Sequence, residues 1–121
     1  NAVVDAFREA ARGGAQPLLL HGAHLVGEAL DAGLPLRQLV VALDRISEAP
    51  MARLIAAAEQ QGCDVIEGTA PVMDAISPVR SSSTVVALAD RPPSSDRAYL
   101  RTPAFVVIAC DVQDPGNLGA M

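Results

Sequence analysis

The chain has 121 residues, half of them hydrophobic, which suffices for one domain with a hydrophobic core and excludes disorder throughout. Nine arginines and no lysine stand against 14 acidic residues, so the net charge of −5 excludes a broad basic surface for nucleic acid. Only Phe7, Tyr99 and Phe105 are aromatic, which argues against a platform of stacked bases. No run approaches the roughly 18 apolar residues of a membrane span, and the N-terminus does not resemble a signal peptide. We therefore expect a cytoplasmic protein.

The apolar pattern predicts helices and strands in alternation, beginning with a helix that ends at Gly13 and Gly14. Gly22 turns the chain from the first strand into the second helix, and Gly33 closes that helix. Ser47 is the predicted N-cap of the third helix, with Pro50 in its first turn. Thr69 is the predicted N-cap of the fourth. The predicted strands are residues 18–20, 39–43, 63–66 and 84–89.

Strands that alternate with helices of about ten residues predict an α/β fold. We expect a small three-layer α/β/α domain with a mainly parallel sheet over residues 1–90. Residues 91–104 are rich in proline, serine and arginine and have no apolar period, which is typical of a linker. Residues 105–121 are predicted to belong to a separate structural unit: a hydrophobic run over 105–110, a polar turn, and a helix start at Leu118.

The cysteines and histidines lack metal-site spacing. Cys63 and Cys110 fall in apolar runs and are predicted to be buried free thiols. His21 and His24 are three residues apart, a spacing that two metal ligands can have, but no further ligand lies nearby. The alternative is that both lie at the surface of a strand-to-helix turn.

Three stretches carry a resemblance to a known family. LLLHGAHLVGEALDAGLPLRQLVVA (residues 18–42) resembles the start of the substrate-binding domain of SpoU-family (TrmH-like) RNA ribose methyltransferases. ISPVRSSSTVVALAD (76–90) is similar to the end of that domain. FVVIACDVQDPGNLGAM (105–121) resembles the first strand and first motif, Asn-x-Gly-x-x-x-Arg, of the catalytic domain, which is a knotted α/β fold.

The resemblance implies methyl transfer from S-adenosylmethionine to a ribose 2′-oxygen of a ribosomal or transfer RNA. The small domain would bind structured RNA, as ribosomal proteins of similar fold do. The knotted domain would hold the cofactor and form a homodimer. Asn117 and Gly119 match the motif, and its arginine would follow two positions beyond Met121. Residues 1–121 alone are therefore expected to be catalytically inert, with no cofactor-binding residue and no metal.

The RNA contacts are predicted in the polar turns of the first domain. Arginine and serine hold phosphates through charge and hydroxyl hydrogen bonds. The predicted RNA-binding residues are Gly22, His24, Arg45, Arg80, Ser81 and Ser82. A solvated loop is the alternative for Arg80 and its serines. The chain also departs from the family pattern, with His21 in place of an acidic residue and Ser81–Ser83 where glycine is common.

Other interpretations are open at this stage. Asn117 lies in a stretch, Asp-Pro-Gly-Asn, that also suits an ordinary tight turn, in which Asp111 and Asp114 would be turn and cap residues. The chain as a whole is either part of the methyltransferase, a stand-alone RNA-binding module of ribosomal type, or an acidic α/β interaction domain. The expected partners are structured RNA and a second copy of the chain, with no DNA and no membrane.

Overall fold

The computed structural model describes residues 1–14, 16–93 and 107–119. Within these ranges helices and strands alternate from the N-terminus, as predicted, and the α/β class is confirmed. The elements are α1 (Ala2–Ala11), β1 (Leu18–His21), α2 (Ala23–Asp31), β2 (Leu36–Ala42), α3 (Ala49–Gln60), β3 (Asp64–Gly68), α4 (Ala70–Ile76), β4 (Val85–Ala89) and α5 (Pro115–Gly119).

The four strands form a mixed sheet in the order β1-β4-β2-β3. β2 and β3 are parallel, whereas β4 is antiparallel to both of its neighbours, β1 and β2. The prediction of a mainly parallel sheet is therefore wrong. β1, β2 and β3 do point in the same direction, but β4 lies between β1 and β2 and runs the other way.

The short fourth helix explains why β4 is reversed. α3 has 12 residues and is about 18 Å long, whereas α4 has 7 residues and is only about 10 Å long. After α4 the chain turns back beside that helix, and the Ser83 amide donates to Ser77 Oγ at 3.0 Å across the turn. β4 consequently enters the sheet at the edge where β3 ends, which the alternation of elements alone does not reveal.

The sheet lies between two helical layers, as predicted. α2 and α3 cover one face, and α1 and α4 cover the other. Along β4, Val85, Ala87 and Ala89 pack under α2 and α3. Val86 and Leu88 pack under α1 and α4. All five residues of β4 are buried, so this strand is shared by both halves of the hydrophobic core.

The start of α3 differs from the prediction. Glu48 is its N-cap residue, so the assignment of Ser47 to that role is wrong, whereas Pro50 lies in the first turn as predicted. The helix begins late because the chain makes two further turns after β2. The amide of Arg45 donates to Ala42 O, and the amide of Glu48 donates to Arg45 O.

The two cysteines lie in different environments. Cys63 is buried, as predicted, and burial raises the pKa of its thiol, with a smaller contribution from the neighbouring Asp64. Cys110 is exposed, so the prediction that it is buried is wrong. Residues 107–110, which contain it, are all exposed and lie outside the hydrophobic core around the sheet.

Residues 107–110 form no strand. The remainder of the predicted strand over 105–110, including Phe105, lies outside the described residues. Val107 is 61% exposed and Ile108 is 80% exposed, and neither pairs with the four-stranded sheet. Of the predicted linker over 91–104, only residues 91–93 are described.

The C-terminal helix begins earlier than predicted. α5 starts at Pro115 rather than at Leu118. Asp114 Oδ1 accepts a hydrogen bond from the Gly116 amide at 2.8 Å, which confirms Asp114 as a cap residue. In the parts of the chain that the structure describes, no helix is long and apolar enough to cross a membrane.

Residues 90 and 91, which follow β4, are held by residues near the start of β1 and of β2. The Gln16 side-chain amide donates to Arg91 O at 3.0 Å and accepts from the Arg91 amide at 2.9 Å. Arg37 Nε donates to Asp90 Oδ1, and the Asp90 amide donates to Pro35 O at 3.0 Å. These contacts keep residues 90 and 91 attached to the sheet.

Two glycines are expected to respond in opposite ways to an added methyl group. A Cβ at Gly68 would lie 2.6 Å from Met73 Sδ and 2.9 Å from Val40 Cγ1, both in buried side chains, so Gly68→Ala should lower the free energy of unfolding by about 1–3 kcal/mol. At Gly27, inside α2, a Cβ would meet only Leu54 Cδ2 at 3.6 Å. Gly27→Ala should therefore stabilise the protein by up to about 1 kcal/mol.

Urea denaturation of the two variants checks this packing. Equal unfolding free energies for Gly68→Ala and the wild type would contradict the close approach of β3 and α4.

Candidate functional site

The ends of all four strands meet at one edge of the sheet, which we call the loop edge. β1, β2 and β3 end there and β4 begins there, so their connections lie side by side. We define the loop edge as Gly22 with the first turn of α2, residues 43–48, Thr69 with the first turn of α4, and residues 77–84. The backbone bonds across it are Gly22 N to Val85 O (3.0 Å), Ala42 N to Thr84 O (2.8 Å) and Leu43 N to Gly68 O (2.9 Å).

The sharp turn from β1 into α2 depends on Gly22. Its φ of +91° lies in the left-handed region, where a side chain would be strained. Gly22 was predicted to contact RNA, and the structure places it at the loop edge, next to the first residue of β4. Its contact with RNA stays a prediction.

A pocket of about 720 Å³ opens between the ends of β2 and β3 and the start of β4. Apolar and polar groups share its wall, so it offers both packing surface and hydrogen-bonding groups. Its lining residues are Ala42, Leu43, Ala70, Met73 and Gly68, with Asp44, Arg45, Thr69, Ser82, Ser83 and Thr84. Arg45 and Ser82, both predicted contact residues, therefore lie at one site. Thr69, the predicted N-cap of α4, occupies that position, although its side chain makes no capping hydrogen bond.

The charge of Arg45 is compensated by two neighbouring carboxylates. Arg45 Nη1 donates to Glu48 Oε1 at 2.8 Å, and Arg45 Nε lies 3.8 Å from Asp44 Oδ2. The hydrogen bond with Glu48 raises the pKa of the Arg45 guanidinium, and the charges of Glu48 and Asp44 raise it further. Arg45 is thus always charged but already paired, which lowers its attraction for a phosphate.

Arg80 differs from Arg45 in lacking a carboxylate partner. Within the described residues no ion pair involves Arg80, which is exposed together with Ser81 and Ser82 in the connection from α4 to β4. An unpaired guanidinium at this edge is available to an anionic group in solution. Arg80 is therefore the cation of the loop edge best suited to a phosphate.

Two residues that the sequence analysis missed hold this connection in place. Ser77 Oγ donates to Met73 O at 2.8 Å and accepts from the Ser83 amide. Ser82 Oγ donates to Asp74 Oδ1. A serine and an aspartate at an i, i+3 spacing near a helix end are the sequence signal, but that pattern is common in proteins without such a function.

The histidines contribute little that points to a metal. His24 is largely exposed, and its Nε2 lies 3.3 Å from Glu28 Oε1 on the same helix. His21 Nε2 is buried and has no hydrogen-bond partner within the described residues. In residues 1–14, 16–93 and 107–119, no three His, Cys, Asp or Glu side chains are grouped so that they could hold a metal ion.

Asn117, the predicted motif residue, lies in α5 and outside the loop edge. The structure describes the backbone there but not the Asn117 side chain, so its predicted catalytic role remains untested. Asp111 adopts a positive φ of 54°, which fits its predicted place in the turn before α5.

No protein-family model and no curated protein matches the sequence. Solved structures do match its fold. A crystal structure of an RNA 2′-O ribose methyltransferase superposes with a TM-score of 0.73 and 24% identity, covering 99% of this chain and 46% of that one. The SpoU methyltransferase AviRb from Streptomyces viridochromogenes, in complex with AdoMet, superposes with a TM-score of 0.66 and 18% identity, covering 82% of this chain and 38% of that one.

An rRNA methyltransferase from Sinorhizobium meliloti gives a TM-score of 0.62 with 22% identity, covering 78% of this chain and 35% of that one. The chain thus spans between about a third and a half of the length of these three structures. At such identities the likeness shows a shared fold.

Proposed function

We propose that this chain, whose fold is found in SpoU-type RNA methyltransferases, is the RNA-recognition part of an enzyme that methylates a ribose 2′-oxygen. The observation that carries the proposal is the loop edge. Gly22, Arg45 and Ser82, which are far apart in the sequence, lie there at one end of the sheet. His24, in the first turn of α2, and Arg80 and Ser81, in the α4–β4 connection, belong to the segments that adjoin them. The similarity of fold to RNA methyltransferases supports RNA as the ligand.

The chemistry of the loop edge suits RNA read by shape and backbone. The hydroxyls of Ser81 and Thr69 can donate to ribose and phosphate oxygens, whereas Ser82 Oγ, whose proton goes to Asp74, can accept from a ribose hydroxyl. Arg80 supplies a charge that has no carboxylate partner among the described residues. Leu25, Leu43 and Val79 lie at the same edge and are 42%, 51% and 49% exposed. Apolar side chains of this kind pack against sugar and base faces without needing a basic surface. An acidic protein can thus bind RNA locally.

The catalytic part of the proposal rests on the sequence motif and the matched fold. The enzyme would use S-adenosylmethionine, as a methyl donor bound outside these residues, and would work as a cytoplasmic homodimer. AviRb is a cofactor-bound example of the fold. Asn117 would belong to the catalytic domain as a motif residue, and no described side chain of this chain is assigned to the cofactor. Residues 1–121 alone should bind RNA without transferring a methyl group.

One prediction of this proposal concerns salt-dependent RNA binding. The chain should bind structured RNA hairpins from a pool more tightly at low than at moderate salt, because each neutralised phosphate releases counterions. Arg80→Ala should weaken binding and reduce the slope of log affinity against log salt by about 0.7–0.9, the value of one phosphate contact. Fluorescence anisotropy at several salt concentrations measures both effects.

Arg12→Ala is the matched control, because Arg12 is an exposed arginine at the opposite end of the sheet and its loss changes the net charge equally. Equal effects of the two variants would contradict a contact at the loop edge. Absence of binding by the wild type at low salt would contradict RNA recognition by this domain and favour an acidic interaction domain.

Another prediction of this proposal concerns the paired charge of Arg45. Glu48→Gln removes the carboxylate that holds the guanidinium, so Arg45 becomes more available to phosphate. RNA binding at low salt should become about two- to fivefold tighter, since exposed ion pairs are weak. Asp31→Asn, at the far end of α2, changes the net charge equally and should have a smaller effect. Equal gains for both variants would mean that only the net charge matters.

A further inference from the structure

The connection between α4 and β4 carries three of the predicted RNA-binding residues, Arg80, Ser81 and Ser82. The backbone of residues 78–83 makes no recorded hydrogen bond to other backbone groups within the described parts of the chain. Its described hydrogen bonds all involve side chains, from Ser82 to Asp74 and from Ser83 to Ser77. A loop of exposed residues without backbone bonds has a low local stability, so these two contacts matter for its conformation.

Ser77 is the first of the two tethers. It follows the last residue of α4, and its hydroxyl donates to Met73 O at 2.8 Å while it accepts from the Ser83 amide at 3.0 Å. Met73 is 2% exposed and lies in the core. Ser77 therefore connects the returning end of the loop to a part of the helix that cannot move without disturbing the core.

Asp74 is the second tether. Its carboxylate accepts a hydrogen bond from Ser82 Oγ, and Ser82 lines the pocket of the loop edge. A carboxylate beside a surface that binds phosphates repels them, so on charge alone Asp74 opposes RNA binding. A charged acceptor also makes a stronger hydrogen bond than a neutral one. Its contact with Ser82 opposes that repulsion by ordering the loop.

We propose that Asp74 and Ser77 are positioning residues for RNA recognition, holding Arg80, Ser81 and Ser82 in the conformation that meets the RNA. The inference rests on the proposed function, because it names the residues that organise the same edge. Neither residue contacts RNA in this account. They affect RNA binding by ordering the loop that carries Arg80, Ser81 and Ser82.

The test exploits two effects of opposite sign. Asp74→Ala removes a negative charge and also removes the acceptor of Ser82. We expect RNA binding to weaken about fivefold to tenfold, because the loss of the hydrogen bond is partly offset by the loss of the repelling charge. Glu67→Ala removes an equal charge from the nearby end of β3, and the Glu67 side chain makes no ion pair within the described residues. It should leave binding unchanged or slightly tighter.

Asp74→Asn keeps an acceptor oxygen without the charge, so it should bind RNA at least as well as the wild type. Binding by Asp74→Ala that matches Glu67→Ala would overturn the inference, because charge alone would then explain both variants. RNA binding by Asp74→Asn that is as weak as binding by Asp74→Ala would also contradict positioning by the hydrogen bond.

A measurement without RNA separates this inference from the proposed function. Backbone ¹⁵N relaxation should give order parameters for residues 80–83 that fall from about 0.85 towards 0.6 in Ser77→Ala, with Ser77→Thr retaining the order. Unchanged order in Ser77→Ala would overturn the inference even if the wild type binds RNA. Loss of order in a protein that does not bind RNA would show that Ser77 orders the loop, but it would contradict the proposed function and with it a role of this order in RNA recognition.

Discussion

The reversed strand β4 is the constraint on which the rest of the molecule depends. It is buried along its whole length, contributes residues to the core on both faces of the sheet, and pairs with both β1 and β2. Because β4 is antiparallel to β1 and β2, its first residues lie beside the last residues of those strands. A parallel β4 would have sent residues 77–84 to the opposite edge, away from Gly22 and Arg45. The direction of one strand therefore decides whether a combined loop surface exists.

Local charge pairing explains how an acidic domain can present such a surface. Arg45 is held by Glu48 and Asp44, while Arg80 has no carboxylate partner among the described residues. Beside Arg45 lie the hydroxyl groups of Thr69, Ser82, Ser83 and Thr84 and the partly apolar wall of the pocket. A surface of this kind depends on shape and on a few well-placed hydrogen bonds more than on long-range attraction. The order of the α4–β4 connection then becomes as important as its composition.

The sequence predicted what depends on local pattern and missed what depends on tertiary contacts. Apolar periodicity and the glycine and proline positions predicted the order of helices and strands, and the polar turns marked Arg45, Arg80 and Ser82. The prediction of a mainly parallel sheet was wrong because the alternation of elements does not reveal that α4 is short and that the chain turns back beside it before β4. The prediction of Ser47 as an N-cap was wrong because the turns that follow β2 shift the start of α3 to Ala49. Asp74 and Ser77 became visible only once the loop was seen folded beside its helix.

The most direct test of the central claim is a map of where RNA touches the chain. Two-dimensional ¹H–¹⁵N spectra of the labelled protein, recorded during titration with an RNA hairpin that it binds, report every affected backbone amide. If RNA binds at the loop edge, the shifts fall at the first turn of α2, at residues 43–48 and at residues 77–84. Shifts concentrated at the opposite end of the sheet, around Arg12 and residues 32–35, would contradict it.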